Sequence, residues 1–137
     1  MIFVAKEIVK VLSENLTFPG VSVQEFYKVI SLKPPLVTVN ELPGKGVYFP
    51  DGQPRFVQNT YQIEAYCKQY LGQAGNVTKL EAAQELLKEL DIIIQEKFGL
   101  TQVGDVDLKP YINDPTIMRG VVRYRGIIDT KTEFIYR

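Results

Sequence analysis

Val57-Gln58-Asn59-Thr60-Tyr61-Gln62-Ile63-Glu64-Ala65-Tyr66-Cys67-Lys68 decides the fold. Val57, Tyr61, Ile63, Ala65 and Cys67 share one parity, while Gln58, Gln62, Glu64, Tyr66 and Lys68 take the other. A period of two places these sets on opposite faces of a strand, one apolar and one mostly polar. Such a strand belongs to an antiparallel or mixed sheet with one covered face.

Working outward from it, Gly72-Gln73-Ala74-Gly75-Asn76 reads as a flexible connection. Thr78-Lys79-Leu80-Glu81 fits a capping box, in which hydroxyl and carboxylate each satisfy an orphan backbone donor. The helix that follows carries Leu80, Ala83, Leu87, Leu90 and Ile94 on one side and stops at Gly99. Upstream, Val4, Ile8, Val11, Leu12 and Leu16 recur at helical spacing, and Pro19-Gly20 ends that run. Val21–Ile30 and Leu36–Leu42 read as strands, with Lys33-Pro34-Pro35 between them. Gly104 to Pro115 reads as loop. Ile117–Ile128 and Thr132–Arg137 read as a closing hairpin around Asp129-Thr130-Lys131.

Pro43 to Pro54 holds three of the ten glycines and three of the eight prolines, yet carries Val47, Tyr48 and Phe49. That predicts an extended arm or hairpin with an aromatic tip. The expected fold over residues 1–137 is a single α+β domain. It is a two-layer sandwich, with two helices on one face of a mostly antiparallel or mixed sheet and a protruding Gly/Pro-rich arm at 43–54.

Composition removes several function classes. The 137 residues contain no histidine and a single cysteine, Cys67, so Ser-His-Asp hydrolases, thiol enzymes and zincins are excluded. Cys67 lies on the apolar strand parity and reads as a small core residue. Sixteen basic and sixteen acidic residues cancel, which removes bulk attraction to nucleic acid or anionic membrane. The apolar start Met1–Ala5 is broken by Lys6 and Glu7, unlike a signal peptide, and no run has the length of a membrane span. One cysteine fits a reducing, intracellular site of synthesis.

Gly44-Lys45-Gly46 lacks the context and the Lys-Ser/Thr pair of a phosphate loop and reads as a turn. Asp105 and Asp107 alternate in an extended segment, so they are expected to point apart and hold no metal. Glu81, Glu85 and Glu89 form an acidic stripe on the second helix, read either as a solvated face or as a contact for a basic surface. Arg119, Arg123 and Arg125 share one strand parity, and residues 117–137 hold five basic against two acidic side chains. Such a row suits phosphate contact or carboxylates across a subunit interface. The RNA-binding strand that Arg119–Tyr124 superficially suggests lacks its stacking aromatics. Phe26, Tyr27, Tyr61, Tyr124, Phe134 and Tyr136 are expected on strands as core or interface filling. No catalytic or metal site is expected, and no cofactor.

The order of these elements resembles a known family. The carriers are the N-terminal helix, Pro34-Pro35-Leu36-Val37-Thr38-Val39-Asn40-Glu41, the Gly/Pro-rich arm and Asn59–Tyr66. With them go the capped helix from Thr78, Arg119…Arg123-Tyr124-Arg125-Gly126, and the end Phe134-Ile135-Tyr136-Arg137. The whole resembles the tail-terminator (tail completion, tail-to-head joining) proteins of long-tailed bacteriophages, a group that includes small minor capsid proteins. The resemblance implies a structural virion protein that is not an enzyme, made in the bacterial cytoplasm and located in the phage neck. It implies a homo-oligomer, usually a hexameric ring, on the head-proximal end of the tail. There it stops tail-tube polymerisation, meets the head connector or stopper, and leaves a lumen for DNA without sequence-specific binding or membrane contact. Tyr48, Phe49, Glu81, Glu85, Glu89, Arg119, Arg123 and Arg125 are then the candidate subunit or partner contacts. Alternatives are a head-side connector or minor capsid component and a generic small α+β binding domain. A small hydrolase would need a carboxylate pair, such as Glu64 with a residue of another strand.

Overall fold

The computed structural model describes residues 4–42, 46–48, 54–129 and 135–136. Its helices are α1 (Val4–Asn15) and α2 (Lys79–Phe98). Its strands are β1 (Ser22–Glu25), β2 (Leu36–Leu42), β3 (Gly46–Tyr48), β4 (Pro54–Cys67), β5 (Tyr70–Gly72), β6 (Gly75–Val77), β7 (Thr101–Tyr111), β8 (Asp114–Asp129) and β9 (Ile135–Tyr136). The main sheet runs β1-β2-β4-β8-β7, with β3 pairing on β4 and β9 on β8. Among the described residues only the β1–β2 pairing is parallel. The protein is thus an α+β fold built on a mixed sheet.

The quoted strand is the sheet's centre. On one edge of β4, β2 and β3 pair in succession. On the other edge β8 pairs with it from Phe56↔Asp129 to Cys67↔Met118. The apolar parity of β4 meets the helices. Tyr61, Ile63, Ala65 and Cys67 are buried with Val37, Val39, Val122, Tyr124 and Ile128. Against them pack Ile8 and Leu12 of α1 and Ala83, Leu86, Leu87, Leu90 and Ile94 of α2. Each large aliphatic side chain so buried contributes about 1.5–3 kcal/mol, so this one layer supplies most of the driving force. Leu80, expected on the buried side, is 43 % exposed in the first turn of α2, where Ala82 and Ala83 are the buried residues. Both helices share one sheet face. The other face carries Thr38, Gln62, Glu64, Arg119, Val121 and Arg123.

Several expectations are corrected. The strand expected over Val21–Ile30 ends at Glu25, and Phe26–Lys28 form a 3-10 turn. The cause is local. Tyr27 donates its hydroxyl to Glu25 Oε2 (3.1 Å) and Lys28 Nζ reaches the same carboxylate (2.8 Å), which draws the chain back. Phe26 and Tyr27 are consequently exposed and not strand filling. The expected flexible connection at 72–76 is instead the tight β5–β6 hairpin, with Gly75 at φ 120°. The segment expected as loop from Gly104 is the body of β7. It is an edge strand, so Pro110 and a break in register cost it little. The hairpin partner of β8 is confirmed in outline by β9, while the turn 130–134 lies outside the described residues.

Candidate interaction face

The polar face of the sheet is not uniformly wet. At one end Leu36, Tyr66 and Ile117 form a second small core, covered by Val29 and Leu32 from the β1–β2 connection and by Tyr111. Tyr66 and Tyr111 stack edge to face with centroids 5.5 Å apart. Beside this cap lies Glu64, at 2 % exposure one of the most buried polar groups among the described residues. Its Oε2 accepts from the Tyr66 hydroxyl (2.7 Å) and from Thr38 Oγ1 (3.4 Å). Its Oε1 accepts from Gln62 Nε2 (3.0 Å) and pairs with the Arg119 guanidinium. A buried carboxylate is tolerable only when paired and hydrogen-bonded, and four donors do both here. Burial, then the bond to Glu64, pushes the Tyr66 phenol up to about 12.

Glu64 passes its order outward. Because Gln62 gives its amide N–H to Glu64, its carbonyl Oε1 faces the other way and accepts from Arg123 Nε (3.0 Å). Arg123 then borders a hollow of about 380 Å³ with Gln62, Val103, Gly104, Asp105, Asp107, Arg119 and Val121. The hollow exists because β7 bulges. Val103 pairs with Arg123 but Asp107 pairs with Val121, so four steps of β7 span two of β8. Gly104 makes the bulge possible with φ 73°, a conformation that favours glycine. The expectation that Asp105 and Asp107 diverge is overturned, since both line the same hollow: they stand two residues apart, and strand alternation puts such residues on one face. Among the described residues no group of three or more His, Cys, Asp or Glu is placed to hold a metal.

The arginine row is divided in its tasks. Arg119 pairs with Glu64, Arg123 leans on Gln62, and Arg125 is exposed opposite Thr60 and Thr101. The acidic stripe is anchored inside the domain. The Thr78 hydroxyl accepts from Glu81 N (3.2 Å) and donates to Glu81 Oε1 (3.0 Å), so the carboxylate meets the capping hydroxyl in place of a backbone donor. Glu85 accepts from the Tyr70 hydroxyl (2.8 Å), and Glu89 accepts from Thr17 N and Oγ1. The stripe thus ties α2 to the β5–β6 hairpin and to the segment after α1. It lies on the helix layer, while the arginines lie on the opposite sheet face.

Tyr48 falls in β3, whereas Phe49, Gly44 and Lys45 lie outside the described residues. Cys67 is buried, as its parity implies, and burial pushes its thiol up to about 12. Glu64 gathers Thr38, Gln62, Tyr66 and Arg119, and no carboxylate of another strand is among these contacts. Sequence reasoning missed the Glu64–Gln62–Arg123 relay and the hollow. The available signal was that Gln62, Glu64 and Tyr66 share the parity that faces the arginines.

At the other end of the helix-side core, Glu41 accepts from Asn59 Nδ2 (2.7 Å) and from the Tyr61 hydroxyl (3.3 Å). Burial holds the Glu41 carboxyl above its usual value.

Fold and site together define a two-layer α+β protein whose sheet keeps a polar, pre-ordered face opposite its helices. The chain matches no known family model, and no curated protein sequence matches it. No described helix is long and apolar enough to cross a membrane.

Proposed function

We propose that this chain is a structural virion protein of a long-tailed bacteriophage, acting at the head-proximal end of the tail. It forms a ring there, six-fold as the family resemblance implies, ends polymerisation of the tail tube, and joins tail to head connector. DNA passes through the lumen without sequence-specific contact, and the protein performs no turnover and carries no cofactor.

One observation supports this reading most. The polar sheet face with Arg123 and Arg125 and the helix layer with its acidic residues lie on opposite sides of one sheet. A closed ring needs heterologous contacts, in which two different surfaces of one protomer meet their complements on the neighbours. Opposed surfaces that carry complementary charged groups suit that geometry and fix its register.

Electron microscopy of tail tubes assembled with and without the protein tests the proposal. Decoration of one tube end, with limited tube length, is the expected result. Bare ends and unchanged lengths overturn it.

A further inference from the structure

We propose that the hollow at the β7 bulge is the socket for the α2 helix of a second copy of this chain, receiving that copy's Glu85 on Arg123 and its Lys88 against Asp105 and Asp107. The inference deepens the ring reading and rests on it only in requiring that copies associate.

The socket is pre-ordered. Arg123 spends Nε on Gln62, whose orientation is fixed in turn by buried Glu64. Its two terminal nitrogens are left as a planar fork suited to a carboxylate. Ordering that fork in advance removes part of the entropy a docking side chain otherwise costs. The two aspartates line the same hollow, Asp107 in a long, exposed pair with Lys109 at 3.7 Å that a better-placed ammonium can displace, so it presents a guanidinium beside carboxylates. Its complement is therefore a carboxylate beside an ammonium, not a simple anion.

The same chain carries that complement on its other side. Glu85 and Lys88 are both exposed on α2 and stand three residues apart. Side chains at that spacing have Cβ atoms about 5–6 Å apart. In the socket, Arg123 is level with Val103 and Asp107 with Val121, so the charges are offset by two residues, roughly 6.6 Å along the strands. The spacings agree. Glu85 uses Oε2 for Tyr70, which holds the side chain in place and leaves Oε1 to accept from a neighbour. Exposed Ile92, one turn beyond Lys88 on α2, adds an apolar contact beside the charged pair.

The socket and the helix lie on opposite sides of the sheet, so the contact runs head to tail and cannot close as a two-fold dimer. It would cover the bare polar face of each sheet with its neighbour's helix layer.

The test is sedimentation velocity of the full chain over a concentration series, in low and high salt. Wild type is expected to self-associate, with dissociation constants raised about tenfold or more by Arg123→Glu or by Glu85→Arg. Combining the two should restore most of the loss, and the pair Asp107→Lys with Lys88→Glu should behave alike. Arg123 and Glu85 are exposed, and circular dichroism is the check that each variant folds. A wild type that stays monomeric at every concentration overturns the proposal, as do oligomers indifferent to Arg123→Glu or losses that neither swap rescues. Tube-end binding is scored separately. Swap-rescued association with bare tubes sinks the tail-end function and keeps the contact, whereas capped tubes with indifferent swaps do the reverse.

Discussion

The Tyr124 hydroxyl on β8 donates to Asp91 Oδ1 on α2 at 2.6 Å, joining the centre of the sheet to the middle of the long helix. Tyr124 is fully buried, and its ring fills the core while its one polar atom reaches the half-buried edge of the helix. A buried tyrosine needs such a partner. Tyr124→Phe keeps the ring and removes the donor from a charged acceptor, so it should destabilise the fold by about 1.5–3 kcal/mol. Asp91→Asn, which retains an acceptor, should cost less. Urea denaturation of both variants measures this, and equal costs would show that the bond contributes only through the charge of Asp91, a neutral acceptor being worth nothing there.

Alkaline pH should unfold the protein through its buried acids. Burial raises the phenols of Tyr61 and Tyr124 far above their ordinary range, raises Tyr66 to about 12, and raises the Cys67 thiol to about 12. In each case the folded state holds the proton more tightly than the unfolded chain. Their contribution is therefore fully present below the unfolded values, about 8.5 for the thiol and about 10 for the phenols, and is lost as pH rises above them. The urea midpoint should decline past pH ~8.5 and fall more steeply past ~10. Phenolate absorbance from these three tyrosines should appear together with unfolding. Ionisation of all eight tyrosines near pH 10 with the fold intact would contradict it.

Arg119 and Glu64 should respond unequally to mutation. The Glu64 side chain is 3 % exposed and that of Arg119 is 36 % exposed. Losing Arg119 strands a buried carboxylate with only neutral donors, whereas losing the charge of Glu64 leaves a guanidinium that can reach water. Arg119→Met should cost about 3 kcal/mol and Glu64→Gln about 1–2 kcal/mol, with the double variant well below their sum. A double-mutant cycle by urea denaturation checks the ordering. Additive costs would mean the two groups do not interact in solution.

The helices and β2 were legible to within a residue or two because apolar spacing, a cap and Gly99 all agree there. The central strand was legible as a strand, but its polar parity hid Glu64. Periodicity reports which face a residue is on and not whether another segment covers that face, as Val29, Leu32 and Tyr111 cover part of this one. β7 was unreadable for a related reason. Gly104, Asp105, Asp107 and Pro110 are poor strand residues, and β7 exists through its pairing with β8. Parity groups the arginines and helical phase groups the glutamates, while the opposite sides they occupy follow from which sheet face the helices cover. Their partners are long-range, from Thr17 to Glu89 or Gln62 to Arg123, and no local pattern encodes them.

Gly120 marks where α2 lies closest to the sheet. A Cβ added there would sit 2.6 Å from Leu87 Cδ1, 3.1 Å from Leu108 Cδ2 and 3.4 Å from Leu87 Cγ. The backbone of Gly120 is ordinary strand, so the requirement for glycine is one of space and not of dihedral angle. Leu87 is buried on α2, and its Cδ1 and Cγ are both among the three atoms nearest that Cβ. Gly120→Ala should therefore overpack the α2–β8 contact and destabilise the protein by about 1–3 kcal/mol. Gly104 offers the contrast: its φ is 73° and a Cβ there would meet nothing within 4 Å, so Gly104→Ala costs backbone strain of about 1 kcal/mol and no clash. The two mechanisms separate in a second mutation. Leu87→Val shortens the obstructing side chain and should recover part of the loss in Gly120→Ala, while leaving the loss in Gly104→Ala unchanged. Urea midpoints of the two single and two double variants decide it, and equal effects of Leu87→Val on both backgrounds would remove steric contact as the reason for Gly120.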